Sequence, residues 1–260
     1  MPAERVGKLL AAAGVASRRG ADALNASGRV TLDGAVVALG ATADPSTATI
    51  AVDGRRVDLA GARARARVHL AAHKPPGVTS TVRDRHATAT VLDLVPSELR
   101  PPGGRLYPVG RLDRDSEGLL LLTDDGPWSE RVLHPRYGVE REYAVALGRP
   151  LDREQVRQLA AGIPLDEGLA TLGQLRPATR TETAVLAGLL DPPPPAGLAW
   201  YRATLAQGWR RQLRRMFAAV GAPVERLVRV RIGTLRLGEL RAGDVRPLRP
   251  TEVRRLSGRG

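Results

Sequence analysis

The sequence predicts an α+β fold made of a small N-terminal module and a larger, strand-rich domain. Residues 4–28 carry two short helical patterns, and the segments that follow them read as short strands joined by Asp-Gly turns. Residues 140–147 and 198–205 alternate apolar and polar side chains, as half-buried strands do. An amphipathic helix begins at Arg211, so the larger domain contains helices as well as strands.

The composition excludes several classes of protein. The 260 residues include no cysteine, so disulfides and thiolate metal sites are excluded, and a cytoplasmic location is expected. No apolar run approaches the roughly 18 residues of a membrane span. The N-terminus lacks the apolar stretch of a signal peptide.

The charge indicates a polyanionic partner. Forty Lys and Arg residues against 27 Asp and Glu residues give a formal net charge of +13. Nucleic acid is the first candidate for such a partner, and an acidic membrane surface is the second. Nearly all of the cations are arginine, which suits bidentate phosphate contacts. Because aromatic residues make up only 3% of the chain, structured RNA or duplex phosphate is favoured over extensive stacking on single strands.

The N-terminal module is predicted to present two arginines at a helix start. Residues 4–14 form its first helix, and Ser17 is the N-cap of the second. Arg18 and Arg19 therefore lie in a first turn, where the helix dipole disfavours cations, so we expect them to face something negative. Residues 59–67 show no apolar periodicity and are predicted to be a linker.

The centre of the chain holds a carboxylate in a loop that leads into a buried strand. Residues 110–118 form a polar turn around Asp113, and the four leucines at residues 119–122 continue as an apolar run. Such a strand would hold the carboxylate rigidly. The alternative is that Asp113 only hydrogen-bonds backbone amides in its turn. Upstream, a Pro-Pro-Gly turn follows a strand at residues 68–72 and fixes the orientation of Lys74.

Most of the remaining segments are predicted to be strands. The predictions are a polar loop at residues 79–86, a short apolar element at 90–96, a strand at 140–147, two or three strands within 169–190, a strand at 198–205 and final strands within 224–240. Arg141 and Tyr143 share one face of their strand, and Asp152 caps a helix that runs to about residue 161.

Arginines crowd the start of the helix that Gly221 ends. They are Arg210, Arg211, Arg214 and Arg215. Their mutual repulsion at a positive dipole end is unfavourable unless an anion lies opposite. That anion is either a phosphate or a carboxylate such as Asp113.

Four motifs occur in an order that resembles the ribosomal RNA pseudouridine synthases of the RsuA/RluB family. They are Lys74-Pro75-Pro76-Gly77, Gly110-Arg111-Leu112-Asp113 with Ser116-Glu117-Gly118-Leu119-Leu120-Leu121, Tyr143 in its strand, and Arg211-Gln212-Leu213-Arg214-Arg215-Met216. Residues 4–58 resemble the S4 RNA-binding module that precedes the catalytic domain in this family. They carry Ala-Gly-Val-Ala-Ser-Arg-Arg at 13–19 and Gly-Arg-Val at 28–30. The resemblance spans about residues 4–250 and is closest to the large-subunit (RluB) branch.

The resemblance implies an architecture and a set of partners. The implied domains are an S4 RNA-binding domain at residues 1–58, a linker at 59–67, a pseudouridine synthase catalytic domain at 68–250 and a C-terminal tail at 251–260. The catalytic domain should have a mixed, mostly antiparallel sheet flanked by helices. The resemblance also implies no cofactor and no metal, ribosomal RNA or a pre-ribosomal subunit as the partner, no membrane association and a monomeric state.

The resemblance further implies roles for individual residues. Asp113 is the expected catalytic nucleophile, Tyr143 is expected to stack on the flipped uracil and help to remove its C5 proton, and Arg214 is expected to form a salt bridge with Asp113. RNA contacts are predicted for Arg18, Arg19, Arg29, Lys74, Arg111, Arg141, Arg210, Arg211 and Arg215.

The predicted reaction is isomerisation of one uridine in a 23S rRNA stem-loop. One alternative is the same reaction on 16S rRNA. The other is a non-catalytic RNA-binding or ribosome-assembly factor of the S4 type.

The sequence departs from the family pattern in three segments. Arg141 stands where lysine is usual, two residues before the tyrosine, and the two cations are not equivalent at a fixed site. Gln207-Gly208-Trp209-Arg210 replaces Glu-Gly-Arg-Asn, which changes the expected local RNA contacts. Leu213 replaces Val or Ile, a mild change within the core.

Overall fold

The structure, a computed structural model, describes residues 3–82 and 88–258 and has the predicted α+β fold. It divides into two compact units. The first contains the residues up to Val68 together with Glu98–Leu106 and Asp124–Gly126. The second contains His69–Ser97, Tyr107–Thr123 and the residues from Pro127 onward. Residues 83–86 of the predicted polar loop lie outside the described residues.

The described part of the first unit contains three helices and two small sheets. Its elements are β1 (Glu4–Arg5), α1 (Val6–Ala12), α2 (Arg18–Ala26), β2 (Val30–Leu32), β3 (Ala35–Val36), β4 (Thr42–Ala43), β5 (Ile50–Val52), β6 (Arg55–Arg56) and α3 (Leu59–Ala64). Strands β3, β2, β5 and β6 form an antiparallel sheet in that order, and β1 pairs with β4. Val6, Leu10 and Ile50 are fully buried in the core between the helices and this sheet.

The helix cap and the hairpin turns predicted for this unit are confirmed. Ser17 Oγ accepts a hydrogen bond from Gly20 N at 3.0 Å and so caps α2. Asp33 and Asp53 each precede a glycine and adopt φ angles of 50° and 49°, the left-handed conformation that such hairpin turns require.

The predicted linker at residues 59–67 instead includes helix α3. Asp58 Oδ1 accepts a hydrogen bond from Gly61 N at 2.8 Å and so caps this helix. Leu59 is buried in the core of the first unit. The cap and this single apolar anchor therefore form a short helix without the apolar periodicity that a longer one would show.

The second unit is built on a nine-stranded sheet. Its elements are β7 (His69–Lys74), β8 (Tyr107–Val109), β9 (Glu117–Thr123), α4 (Gly126–Leu133), β10 (Arg141–Leu147), α5 (Arg153–Ala161), β11 (Ile163–Leu165), β12 (Gly168–Ala170), β13 (Gln174–Pro177), α6 (Arg180–Ala187), β14 (Ala199–Leu205), α7 (Gln212–Ala219), β15 (Val224–Ile232), β16 (Leu235–Arg236), β17 (Val245–Pro247) and α8 (Pro250–Leu256). The sheet order is β13-β14-β10-β15-β9-β7-β17, with β16 beside β15 and β8 beside β9. The β15–β9 pair is parallel and the other pairs are antiparallel, as predicted.

Two segments of this unit differ from the sequence prediction. The sequence predicts two or three strands within residues 169–190, and this range contains most of β12 and all of β13, but also helix α6, which is not predicted. Thr179 and Glu182 form a capping box that starts this helix. The predicted C-terminal tail at residues 251–260 lies partly in helix α8, which buries Leu256 against the core.

Alternation along β10 buries both faces of the sheet. Ala144 and Ala146 pack in one apolar cluster, which also contains Trp128. Val145 and Leu147 pack in another, which contains Phe217 of α7. Among the residues that the structure describes, no helix is both long and apolar enough to cross a membrane.

A glycine permits the close parallel contact between β9 and β15. Gly118 has a φ of 101°, and a Cβ atom added there would lie 2.4 Å from Arg229 O. Any other residue would push these strands apart. The residues that follow Gly118 in β9 are at most 1% exposed through Leu122, so the strand is fixed on both faces.

A buried lysine ties the end of β7 to the loop before β9. Lys74 is fully buried, and its ammonium donates hydrogen bonds to the carbonyl oxygens of Pro75 (2.9 Å), Val78 (2.8 Å) and Arg114 (3.3 Å). Burial lowers the pKa of Lys74 to about 8. The predicted RNA contact of Lys74 is therefore wrong, because its three donors are occupied inside the protein.

The strand that follows the Asp113 loop should tolerate little loss of volume. Leu121→Ala removes a fully buried side chain from β9 and should lower the free energy of unfolding by about 2–5 kcal/mol, measured by urea denaturation. The matched change Leu169→Ala acts on a side chain in a residue that is 55% exposed and should cost less than about 0.5 kcal/mol. Equal losses in the two variants would contradict the assignment of β9 to the core.

Lys74 should make the free energy of unfolding rise with pH in the alkaline range. Below pH 8 the ammonium is charged in the folded and unfolded states, and the cost of its burial is fully present. Between pH 8 and about 10.4 the folded protein releases this proton while the unfolded chain keeps it, so stability should rise by roughly 3 kcal/mol from this group. Urea denaturation at several pH values should show this gain relative to Lys74→Met.

Lys8 provides the control for this experiment. It is the other of the two lysines in the chain, and its side chain is 47% exposed. Lys8→Met should keep the rise in the free energy of unfolding at alkaline pH. Identical pH profiles for wild type and Lys74→Met would show that Lys74 does not cause this rise. If Lys74→Met does not fold, NMR titration of the two lysine side chains in the wild type measures the pKa directly.

Candidate active site

One cavity in the second unit brings together most of the predicted catalytic residues. It has a volume of about 1190 Å³. Residues 110–114 line it from the loop before β9, and residues 205–213 line it from the end of β14, the following loop and the start of α7. Arg141, Tyr143 and Arg229 line it from the adjacent strands β10 and β15. A cavity of this size accommodates a nucleotide.

The backbone on both sides of Asp113 is fixed. Ser80 Oγ accepts a hydrogen bond from Leu112 N (3.1 Å) and donates one to Leu112 O (2.9 Å). Arg114 O accepts a hydrogen bond from Gly77 N at 2.8 Å. The residues before and after the aspartate are thus tied to the segment that follows β7, as expected for a rigidly held carboxylate.

The carboxylate of Asp113 itself is turned toward the cavity. The side chain is 31% exposed, and within the described part of the chain it accepts no hydrogen bond from a backbone amide. Its nearest charged partner is Arg211, whose Nη1 lies 3.9 Å from Asp113 Oδ2. The alternative in which Asp113 only completes its own turn therefore does not describe this geometry.

The predicted salt bridge between Arg214 and Asp113 is replaced by a network centred on Asp115. Arg211 forms a bidentate pair with Asp115, with both N–O distances 2.9 Å. Arg214 Nε lies 3.3 Å from Asp115 Oδ2, and Arg214 Nη2 donates to Asp115 O at 3.0 Å. Because Asp115 lies two residues further along the loop, it meets the start of α7 and takes the partner expected for Asp113.

Electrostatics favour an ionised Asp115. Burial works against the charge, but the hydrogen bond from Arg211 and the charge of Arg214 hold the pKa of Asp115 below its usual value. Burial lowers the pKa of Arg214. Within residues 3–82 and 88–258, no group of three His, Asp or Glu side chains is arranged to bind a metal ion.

Tyr143 and Arg141 line the cavity from the same strand. Tyr143 is half-buried and lies opposite Arg229 in the β10–β15 register. Arg141 Nη2 donates to Val132 O at 3.2 Å. Burial, and then the charge of Arg229, lower the pKa of Arg141. Arg141 is therefore part of the cavity wall rather than of an exposed phosphate-binding surface.

The other predicted RNA-contacting cations fall into two groups. Arg111 and Arg210 are exposed and line the cavity, and Arg18 and Arg19 are exposed on α2 of the first unit. The second group already has carboxylate partners: Arg29 pairs with Asp53, and Arg215 pairs with Glu167 at 2.7 Å and with Asp166 at 3.5 Å.

The residues that depart from the family pattern shape one wall of the cavity. Gln207 Oε1 accepts hydrogen bonds from Thr171 N (3.1 Å) and Gln212 Nε2 (2.6 Å). Trp209 is half-buried against the apolar cluster that contains Phe217. These two side chains support the loop, and Arg210 beside them is exposed.

Sequence reasoning missed three residues of this site. Ser80 and Asp115 carry no pattern of their own, since a polar residue in a loop has many uses. Arg229 lies between two valines, but Arg226 and Arg231 belong to the same strand, so the sequence does not single it out, and only the structure shows that it is 4% exposed.

Comparisons with known proteins give consistent matches over most of the chain. Residues 68–219 match the family model of the RNA pseudouridylate synthases. A protein of Mycobacterium tuberculosis described as an uncharacterized RNA pseudouridine synthase is 40% identical over 253 residues, which cover 97% of this chain and 92% of that protein. Ribosomal large subunit pseudouridine synthase B of Yersinia pestis is 37% identical over 234 residues, which cover 89% of this chain and 68% of that protein.

The fold agrees with these sequence matches. A crystal structure of a pseudouridylate synthase superposes with a TM-score of 0.62 at 26% identity, covering 97% of this chain and 99% of that one. The chain therefore belongs to the RNA pseudouridine synthase family and is an isomerase that acts on RNA.

Proposed function

We propose that this enzyme converts one uridine of 23S ribosomal RNA to pseudouridine, with Asp113 as the nucleophile. The observation that carries the proposal is the position of Asp113. Its backbone is tied on both sides, and its carboxylate faces the cavity without a backbone hydrogen bond. A carboxylate with free lone pairs in a fixed place can form a covalent adduct with the nucleotide and leave again.

The reaction needs one bond to break and another to form at the same sugar carbon. The Asp113 carboxylate bonds to C1′ of the ribose as the bond between C1′ and N1 of uracil breaks, and the electron pair of that bond leaves with the uracil. The base then rotates, C5 bonds to C1′, and the bond between C1′ and the carboxylate breaks. The proton on C5 is lost and N1 gains one, so nothing is consumed. Tyr143, on the strand that lines the cavity, is suited to stack on the base and to assist removal of the C5 proton.

The large ribosomal subunit is the proposed source of the substrate. The relative from Yersinia pestis carries that subunit in its name and is similar over 89% of this chain. The rims of the cavity carry exposed Arg111 and Arg210, which suit RNA phosphates. Mapping pseudouridine in rRNA from cells with and without this gene would test the assignment, and a missing site in 16S rRNA would identify the alternative substrate.

Asp113→Asn should abolish pseudouridine formation while leaving RNA affinity nearly unchanged. The amide keeps the shape of the side chain but is a far weaker nucleophile, so the rate should fall on the order of 10⁴-fold or more. The measurement is pseudouridine formation on 23S rRNA, with the dissociation constant for the same RNA measured in parallel.

The control is Asp166→Asn, which changes an aspartate whose side chain is 99% exposed. It should retain activity. Retained isomerisation by Asp113→Asn would refute the proposed nucleophile. Rescue of ribosome assembly by Asp113→Asn in cells that need this gene would support the non-catalytic alternative.

We also propose that the first unit is an S4-type module that binds RNA through Arg18 and Arg19. Both are exposed at the start of α2. A plot of log affinity against log salt concentration has a negative slope. Replacing both arginines with glutamine should make this slope less steep by about 0.7–0.9 for each phosphate that is no longer neutralised. Arg29→Gln is the matched control, since Arg29 is already paired with Asp53 and should change the slope less. An unchanged slope in the double variant would contradict these contacts.

A further inference from the structure

One arginine in the cavity has donors that the protein leaves unpaired. Arg229 is 4% exposed, and its Nε donates to Leu119 O at 2.7 Å. Its Nη2 is buried and has no hydrogen-bond partner among the described residues. A buried donor without an acceptor is costly, and for a charged group more so. Nη2 of Arg229 is therefore able to donate a hydrogen bond to an acceptor on a bound ligand.

The neighbouring arginines of β15 have carboxylate partners, unlike Arg229. Arg226 forms a bidentate pair with Glu117 at 2.6 and 2.8 Å. Arg231 donates to Glu142 Oε2 (2.8 Å) and to Gly233 O (2.9 Å). Of these three side chains, Arg229 is the one that lines the cavity and the one without a carboxylate.

The position of Arg229 favours a base over a phosphate as its ligand. It lies on a buried strand opposite Tyr143, which is the residue suited to stack on the target base. Ser116 Oγ, which is also buried without a hydrogen-bond partner in the described chain, lines the same cavity. Exposed cations are available for phosphate at Arg111 and Arg210. A base that has left its stack enters such a cavity first, while its phosphates stay with the backbone of the RNA.

The chemistry of the guanidinium then selects the kind of base. Arginine has donors and no acceptor. Uracil offers two exocyclic carbonyl oxygens, O2 and O4, whereas cytosine has an amino group in place of O4. A donor-only group opposite that position accepts uracil and leaves two donors facing each other with cytosine.

The geometry of the isomerisation allows the same contact before and after the rotation. Turning uracil by half a turn about the line through N3 and C6 exchanges N1 with C5 and O4 with O2. A carbonyl oxygen therefore returns to the place where one was before. A fixed donor at that place can hold both the substrate and the product orientation of the base.

We infer that Arg229 is a substrate-binding residue that donates a hydrogen bond to an exocyclic carbonyl oxygen of the target uracil. The inference rests on the proposed function, since it requires that a uridine enters this cavity. It adds a residue for base recognition to the nucleophile and the stacking ring.

The test combines a change in the protein with a change of one atom in the RNA. The substrate is a stem-loop that contains the uridine identified by pseudouridine mapping, made with uridine, 2-thiouridine or 4-thiouridine at that position. Sulfur is a weaker acceptor than oxygen. The kcat/KM of wild type should be lower on at least one thio substrate than on normal uridine.

The kcat/KM of Arg229→Met on normal uridine should be lower than that of wild type by on the order of 10- to 100-fold. In this variant the further loss caused by sulfur should disappear. Its affinity for the stem-loop should stay within about threefold of wild type, because phosphate contacts dominate that affinity.

Two further variants separate recognition from folding. Arg229→Lys keeps a cation that can reach Leu119 O, and it replaces Arg229→Met in the comparison if the latter does not fold, as judged by thermal unfolding. Arg231→Lys changes the same strand outside the cavity and should show the wild-type response to sulfur.

The possible failures can be told apart. If wild type forms no pseudouridine on the normal stem-loop, both the proposed function and the inference about Arg229 are refuted. If wild type is active but the effect of sulfur is equally large in wild type and the Arg229 variant, or Arg229→Met is as active as wild type, only the inference about Arg229 is overturned.

Discussion

The bonds from the buried Lys74 ammonium to three carbonyl oxygens are the constraint on which the active site depends. They join Pro75 and Val78, just after β7, to Arg114, the residue next to the proposed nucleophile. Burial alone disfavours a cation, and the carbonyl oxygens offset this only while they stay in place. The ammonium and the loop therefore hold each other in position. The result is that Asp113 is positioned by the fold of β7 and β9 rather than by its own side-chain contacts.

The charge pairs beside the proposed nucleophile also position residues without using the Asp113 carboxylate. Asp115 takes the bidentate contact of Arg211 and the close contact of Arg214, so these two arginines are fixed without locking the Asp113 carboxylate. Arg211 also adopts a φ of 51°, an uncommon conformation for a residue with a side chain. Because the pair with Asp115 is partly exposed, its contribution to stability is small, and its main effect is on position. Asp113 keeps lone pairs for the substrate and still experiences the positive field of Arg211 at 3.9 Å.

The sequence predicted the parts of this enzyme that short patterns determine. Ser17 and Asp152 were recognised as helix caps, and the Asp113 loop was recognised before a buried strand, because such signals lie within a few residues of one another. The burial of Lys74 was not predictable, since it depends on a carbonyl oxygen 40 residues away. The choice between Asp113 and Asp115 as partner of Arg214 depends on side-chain direction, which a motif does not encode.

The arginines of the cavity differ in exposure, and this difference divides recognition into two physical regimes. Arg111 and Arg210 are exposed, so the phosphate contacts proposed for them would be screened by salt and would carry little information about the base. Arg229 is 4% exposed, and Arg141 is partly buried with a lowered pKa. Charges in such positions are screened less, and a hydrogen bond made there discriminates because an unpaired donor is costly. Salt should therefore weaken the capture of RNA much more than the selection of the base. An enzyme built this way can bind many RNA surfaces loosely and still react with a base that satisfies the donors inside the cavity.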